Sequence, residues 1–221
     1  VYTPEDLHEK GFDYLKDLGF PGDYPMTRGI TATGYRSALW RISQAASLGT
    51  PKECNTRWKL QFSEGLNQIQ IQYDLPTQYG LDPGNERAEG EVGRIGVSMC
   101  SLRDWEIAFE GIDLSKISVS QVSSATAPIA TACYIALAQK RGNDLTYLRG
   151  ATQNDILKEY VARGVFIYPP RPSLRLAVDT IAYTVQLGMK QYNPIQIMTY
   201  QYVERGATPV HETAFTLAAT L

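Results

Sequence analysis

The sequence predicts an α/β fold: part of a (β/α)8 barrel of the TIM type, about four strand–helix units following an extended N-terminal arm. Three observations carry this expectation. Strand-like and helix-like stretches alternate along the chain, the helices open at recognisable caps and close at glycines, and the strands are short with polar side chains. A sheet buried on both faces would instead carry near-continuous apolar runs. Right-handed crossovers make successive strands of such units parallel. Four units are half of an eight-fold barrel, which takes roughly 250 residues when complete. Residues 1–47 are therefore read as the arm and 48–221 as the first half of the barrel, with the remaining half expected as a partner.

The elements follow in order. Residues 1–47 are rich in Gly, Pro, Thr and Tyr and hold no sustained period, which suits extended chain with short turns. Thr50-Pro51-Lys52-Glu53 is a capping box with Pro at the first helical position. The helix it opens runs to about Gly65, with Trp58 and Phe62 one turn apart on one face. Ile69-Gln70-Ile71-Gln72-Tyr73 alternates with period two, as a strand does. Ser101 to Asp104 reads as a helix start and Gly111 as its stop; Ile117 to Ser120 alternates again. An Ala-rich helix covers 125–140, and a strand of weaker periodicity covers 149–153. A short helix from Asp155 to Arg163 stops at Gly164. Pro169, Pro170 and Pro172 break the chain, and Ser173 is expected to open a helix toward Gly188. Ile195-Gln196-Ile197-Met198 is the predicted fourth strand. Thr208-Pro209 caps a last helix that carries no stop signal before Leu221.

Alternation also sorts the faces. It places Gln70 and Gln72 opposite Ile69, Ile71 and Tyr73, so the apolar set packs on helices and the amides point into a barrel lumen. Ser118, Ser120, Gln121, Gln153 and Gln196 add to the polar content of the strands. A lumen lined by amides and hydroxyls differs from an ordinary packed core. Such groups need partners, either one another or a polar ligand passing among them; in an open half barrel, water can serve instead. The expected partners of the two glutamines are Ser120, Gln196 or water.

Composition narrows the function classes. Charged residues make up 20% and the formal net charge is −2, with no basic run interleaved with aromatics, which argues against nucleic-acid binding. No apolar run approaches the roughly 20 residues of a membrane span. The polar, acidic opening Val1 to Asp6 does not read as a signal peptide. Cys54, Cys100 and Cys133 are odd in number and far apart, and are read as buried small hydrophobes of a reducing, cytoplasmic protein. His8 and His211 are read as structural, and no pair of Cys or His has metal-ligand spacing, so no metal site is expected.

Four ordered motifs remain: Gly150-Ala151-Thr152-Gln153-Asn154-Asp155-Ile156-Leu157-Lys158-Glu159-Tyr160, continuing through Arg163-Gly164 to Tyr168-Pro169-Pro170-Arg171-Pro172-Ser173; Asp74-Leu75-Pro76-Thr77-Gln78 with Glu89-Gly90-Glu91-Val92-Gly93; Leu18-Gly19-Phe20-Pro21-Gly22 with Thr27-Arg28-Gly29; and Gly206-Ala207-Thr208-Pro209-Val210. Together they resemble the substrate barrel domain of the large subunit of the methylmalonyl-CoA mutase family, and the last leans toward its ethylmalonyl-CoA branch. The resemblance covers essentially the whole chain. It implies an adenosylcobalamin-dependent isomerase that rearranges the carbon skeleton of a carboxylated acyl-CoA of the methylmalonyl-CoA/succinyl-CoA type. The pantetheine arm would thread the barrel axis, and the cofactor would supply the radical chemistry. It further implies an oligomer and a cobalamin-binding domain or small subunit outside this chain, because the Asp-x-His-x-x-Gly motif for the lower cobalt ligand is not in the sequence.

Residue by residue, the resemblance makes Arg163 the grip on the substrate carboxylate, a task suited to a guanidinium fork. Read alone, Arg163 would as readily stabilise its own helix end. Gln153 matches a glutamine beside the acyl group, Ser120 a small residue beside the pantetheine arm, and Tyr200 a tyrosine next to the radical centre. Thr33 and Gln70 complete the substrate-binding candidates. Several positions depart from the family. Gln201 stands where the family has a histidine near the thioester carbonyl; an amide donates a hydrogen bond but is no general acid. Ala45 stands where a family tyrosine presses on the cofactor, Ala38 and Ser43 replace arginines, and Gln70 and Gln72 replace small lumen residues. These departures leave two other readings open: a mutase for a different acyl-CoA, and a catalytically silent scaffold subunit of a heteromer.

Overall fold

Pro-initiated helices alternating with short strands fold, in a computed structural model that describes residues 3–221, into a parallel sheet covered by helices on one side. The chain divides into two units, one reaching to Arg41 and the other spanning Ile42–Leu221. The polar opening read at residues 1–6 falls partly outside the described residues. In the first unit, helix α1 (Pro4–Glu9) is followed by a π-helical turn (Tyr14–Leu18) and a 3-10 turn (Gly34–Arg36). Its loops are tied locally: Thr27 Oγ1 donates to the Leu18 carbonyl at 2.7 Å and Arg28 Nη2 to the Gly19 carbonyl at 2.6 Å. The two halves of that sequence motif therefore meet.

The second unit holds one five-stranded sheet, in order β1 (Ser43–Ala45), β2 (Gln68–Gln72), β3 (Ser118–Val122), β4 (Arg149–Thr152) and β5 (Tyr192–Asn193), every pair parallel. Helix α2 (Pro51–Ser63) lies between β1 and β2. The long passage from β2 to β3 holds α3 (Leu75–Gln78) and α4 (Leu102–Ala108). Helix α5 (Ala127–Lys140) precedes β4, α6 (Pro170–Gln186) precedes β5, and α7 (Tyr200–Glu204) and α8 (Pro209–Thr220) follow it. A parallel sheet in sequential order, one crossover per step, is the arrangement of successive barrel units.

Sequence and structure part at definite places. Strand β1 lies where no strand is predicted; three exposed residues at a sheet edge carry no burial pattern to read. The fourth predicted strand, 195–199, is irregular chain, and the pairing falls instead at Tyr192–Asn193. There Tyr192 packs inward, and the apolar alternation of Ile195 and Ile197 serves a loop. The helix expected to open at Ser173 opens at Pro170, because proline is tolerated in a first turn whose N–H groups lack helical partners anyway. Asp155 to Arg163 is helical from Leu157 onward, closing as a π-helical turn (Glu159–Arg163). Cys54 is buried, but Cys100 is exposed and Cys133 half-buried.

The core lies between the sheet and its helices. Ile69, Ile71, Tyr73 and Val119 meet Cys54, Trp58, Trp105, Phe109, Tyr134 and Leu137. Aromatic rings run behind the sheet: Trp58 to Phe109 at 5.3 Å, Phe109 stacked on Trp105 at 5.6 Å, Trp105 to Tyr134 at 6.2 Å and Tyr134 to Tyr192 at 5.9 Å. Gly150 has φ +153°, and a side chain there would run into the Val119 carbonyl of the neighbouring strand. That close approach accounts for the glycine inside β4.

Candidate active site

The strand register levels the side chains that face away from the helices. Ala45, Gln70, Ser120, Ala151 and Asn193 stand at one height across all five strands. Ser43, Gln68, Ser118 and Arg149 form the row before it, and Gln72 and Val122 begin the row after. Three sequence candidates, Ala45, Gln70 and Ser120, thus fall in a single row. Gln70 and Gln72 are half-buried, and neither side chain hydrogen-bonds any described residue. The expected bridges to Ser120 or Gln196 are not formed, and Gln196 lies off the sheet. Gln121 corrects the sequence expectation in the other direction. It faces the helices, where Tyr73 Oη donates to its Oε1 at 3.1 Å and its Nε2 donates to Tyr192 Oη at 3.1 Å. Burial of this cluster raises the Tyr73 phenol well above its ordinary pKa and leaves Tyr192 raised as well.

Gln153 extends β4 by one ladder bond, its N–H donating to the Gln121 carbonyl at 3.0 Å, and is buried. The next residues of the motif act as a clamp. Asn154 Nδ2 donates to the carbonyls of Ala177 on α6, at 3.2 Å, and of Pro194, at 3.3 Å. Asp155 accepts from Lys158 Nζ at 2.6 Å and from the Met198 N–H at 2.7 Å. Both partners of the ion pair are almost wholly buried. Burial pushes the Asp155 carboxyl up from 3.8 to about 6, against the pull of Lys158, and burial lowers the Lys158 ammonium. The clamp holds the segment that leads into α7, where Tyr200 is exposed and Gln201 is buried. Gln201 Oε1 has no hydrogen-bond partner among the described residues, an orphaned acceptor of the kind a ligand donor would satisfy.

Arg163 closes the π-helical turn after β4, ahead of Gly164 at φ +91°. Its guanidinium does not cap backbone carbonyls. Nη1 pairs with Glu159 Oε1 at 2.9 Å, and Nη2 donates to Gln78 Oε1 on α3. Glu159 is fully buried and also accepts the Val165 N–H at 3.0 Å, whereas the Arg163 side chain keeps 23% exposure. Gln78 in turn donates to the Tyr73 carbonyl at 2.6 Å. Asp74, the N-cap of α3, accepts from Thr77 N–H at 2.9 Å and Gly93 N–H at 2.7 Å, joining the two halves of the second motif. Thr33 belongs to the first unit, exposed and bonded to Ser37; the register row does not include it.

Gln78, Asp155, Lys158 and Glu159 are the residues that sequence reasoning missed as part of the site. Two signals were there to find: Asp155–Lys158 and Glu159–Arg163 are opposite charges three and four residues apart. Nothing local marks Gln78, whose partner is 85 residues away.

No group of three or more His, Cys, Asp or Glu side chains suited to a metal occurs among the described residues. The His211 ring Nδ1 lies 3.0 Å from Thr208 Oγ1 in the capping box of α8, and His8 is exposed on the six-residue α1. These donors do not fit a lower cobalt ligand. The face as a whole is of another class: part of a parallel α/β barrel whose strands carry amides, hydroxyls and small side chains on the side away from the helices.

Comparison with known proteins gives that class its family. The family model described as methylmalonyl-CoA mutase matches residues 1–221, and the chain belongs to that family. It is 44% identical over 218 residues to the 2-hydroxyisobutanoyl-CoA mutase large subunit of Aquincola tertiaricarbonis, covering 99% of this chain and 38% of that protein. It is 40% identical over 186 residues to the ethylmalonyl-CoA mutase of Methylorubrum extorquens, 84% of this chain and 27% of that one. The methylmalonyl-CoA mutase of Rhizobium meliloti is 38% identical over 218 residues, 99% and 30% respectively. The chain thus spans well under half the length of these relatives. No helix among the described residues is long and apolar enough to cross a membrane.

Proposed function

We propose that this chain is the acyl-CoA-binding part of an adenosylcobalamin-dependent mutase that rearranges the carbon skeleton of a carboxylated acyl-CoA. One observation carries the reading: Ala45, Gln70, Ser120 and Ala151 share a row on the sheet face turned away from the helices. A row of small and amide side chains leaves space and hydrogen-bonding capacity for an amide-rich pantetheine arm. Beyond the C-terminal ends of the strands, where barrel enzymes hold their chemistry, Gln153 would lie beside the acyl group and Arg163 would take its carboxylate. Tyr200 and Gln201 would shield the reacting carbons, with the Gln201 amide able to hydrogen-bond the thioester. Adenosylcobalamin, held by a cobalamin-binding domain or small subunit outside this chain, supplies the radical when bound. We place the assembled protein in the cytoplasm.

A second reading, a mutase for an acyl-CoA whose acyl group carries a hydroxyl, has support of its own. Arg163 is already neutralised by Glu159, which lowers its need for a carboxylate. One relative is named for 2-hydroxyisobutanoyl-CoA. Turnover assays of the assembled protein with carboxylated and 2-hydroxy acyl-CoA esters separate the two readings. On the first, Arg163→Gln weakens carboxylated-ester binding by about 1.5–3 kcal/mol. An unchanged affinity excludes a carboxylate at Arg163, and no turnover of either ester by a cofactor-loaded assembly supports the silent scaffold.

A further inference from the structure

Two sequence motifs with no evident relation converge on one side chain. Gln78 ends α3 and Glu159 opens the π-helical turn; both are buried, and both hold the guanidinium of Arg163. We propose that Gln78 is a positioning residue that sets which esters the site accepts, acting with Glu159 to fix the guanidinium fork of Arg163. The inference rests on the reading that Arg163 takes the acyl carboxylate.

The geometry explains the choice of residue. A free arginine samples many rotamers, and a bidentate grip on a carboxylate requires its planar fork to be held in one orientation. Glu159 takes one N–H of Nη1 and Gln78 one N–H of Nη2, so one N–H on each terminal nitrogen and that on Nε stay available. Gln78 is itself immobilised, because its Nε2 donates to the Tyr73 carbonyl at the end of β2. Orientation is thereby passed from the strand end through the amide to the guanidinium. An amide suits this relay because it donates at one end and accepts at the other. A glutamate would add a second negative charge at Arg163 and compete with the substrate carboxylate. The Glu159 carboxylate is the fully buried member of the pair and requires a counter-charge, so it keeps the partly exposed guanidinium drawn to it. Gln78 therefore fixes direction while Glu159 sets charge.

The test measures inhibition constants of two non-reacting CoA thioesters of equal acyl length, one carboxylated and one neutral, on the assembled protein. For Gln78→Met, the ratio favouring the carboxylated ester falls about tenfold, the scale of a hydrogen bond to a charged group, while the neutral ester binds as before. A loss of fold would weaken both esters alike. Should Gln78→Met fail to fold, Gln78→Asn keeps an amide one methylene short of Arg163 and reads the same ratio. If Arg163→Gln shifts the ratio but neither Gln78 variant does, the positioning role is overturned while the carboxylate reading stands. If Arg163→Gln leaves the ratio unchanged, the carboxylate reading falls first.

Discussion

The two faces of the one sheet obey different rules. On the helix side, Ile69, Ile71 and Val119 are buried in aromatic packing, and the polar side chain of Gln121 is hydrogen-bonded at both ends. On the other side, Gln70 and Gln72 sit half-buried beside Ser120 and make no side-chain hydrogen bond to any described residue. The same strands thus carry a finished core and a surface prepared for something else. Packing and hydrogen bonding favour folding on the first face, whereas the two glutamines of the second leave their polar capacity unused among the described residues, which the proposed function assigns to the ligand.

The sharpest way to break this contrast is to damage the finished face. Trp105→Ala should destabilise the protein by about 3–5 kcal/mol in denaturant unfolding, as large aromatic truncations in cores do; a loss below about 1 kcal/mol would mean that the ring column is not the core. Gln121→Leu comes next. It strips the Tyr73 hydroxyl of its acceptor and the Tyr192 hydroxyl of its donor, for an expected loss of about 1–3 kcal/mol in the same assay.

The clamp that follows β4 should show in pH dependence. Asp155 titrates near 6 when folded against an ordinary 3.8, so folding takes up a proton between those values. Its contribution to stability therefore grows as pH falls from about 6 toward 4 and is lost as pH rises. The variant Asp155→Asn/Lys158→Met should lose this component of the unfolding profile; an identical slope in both proteins would remove it from the account. The smallest effect belongs to the ligand face. Gln70→Ser/Gln72→Ala should change stability by no more than about 0.5 kcal/mol, because no hydrogen bond is broken. Trimming the two amides removes the hydrogen bonds they would offer the pantetheine arm, and calorimetry should register weaker coenzyme A binding by the assembled protein.

Much of this contrast was legible in sequence. Period-two alternation in Ile69–Tyr73 sorted β2 correctly, and caps at Thr50, Ser101 and Thr208 marked helix starts because a side-chain oxygen must satisfy free N–H groups there. The strand at Ser43–Ala45 could not be read, since three exposed edge residues leave no pattern. Ile195 and Ile197 misled because a short period-two pattern does not require a strand: residues 195–198 are irregular chain, all half-buried alike. Gln121 misled for a related reason: polarity does not reveal a face when the interior offers two tyrosine hydroxyls. In the site, the row of Ala45, Gln70 and Ser120 follows from strand register. The Gln78–Arg163 link depends on tertiary contact and left no local trace.

The central claim is that the helix-free face of the sheet receives the acyl-CoA. Calorimetric titration of the assembled protein with an acyl-CoA ester, wild type beside Gln70→Trp, tests it most directly. An indole in the middle of the row should fill the space meant for the ligand, leave the helix-side core folded, and abolish measurable binding. Wild-type affinity in a folded Gln70→Trp protein would contradict the assignment of this face.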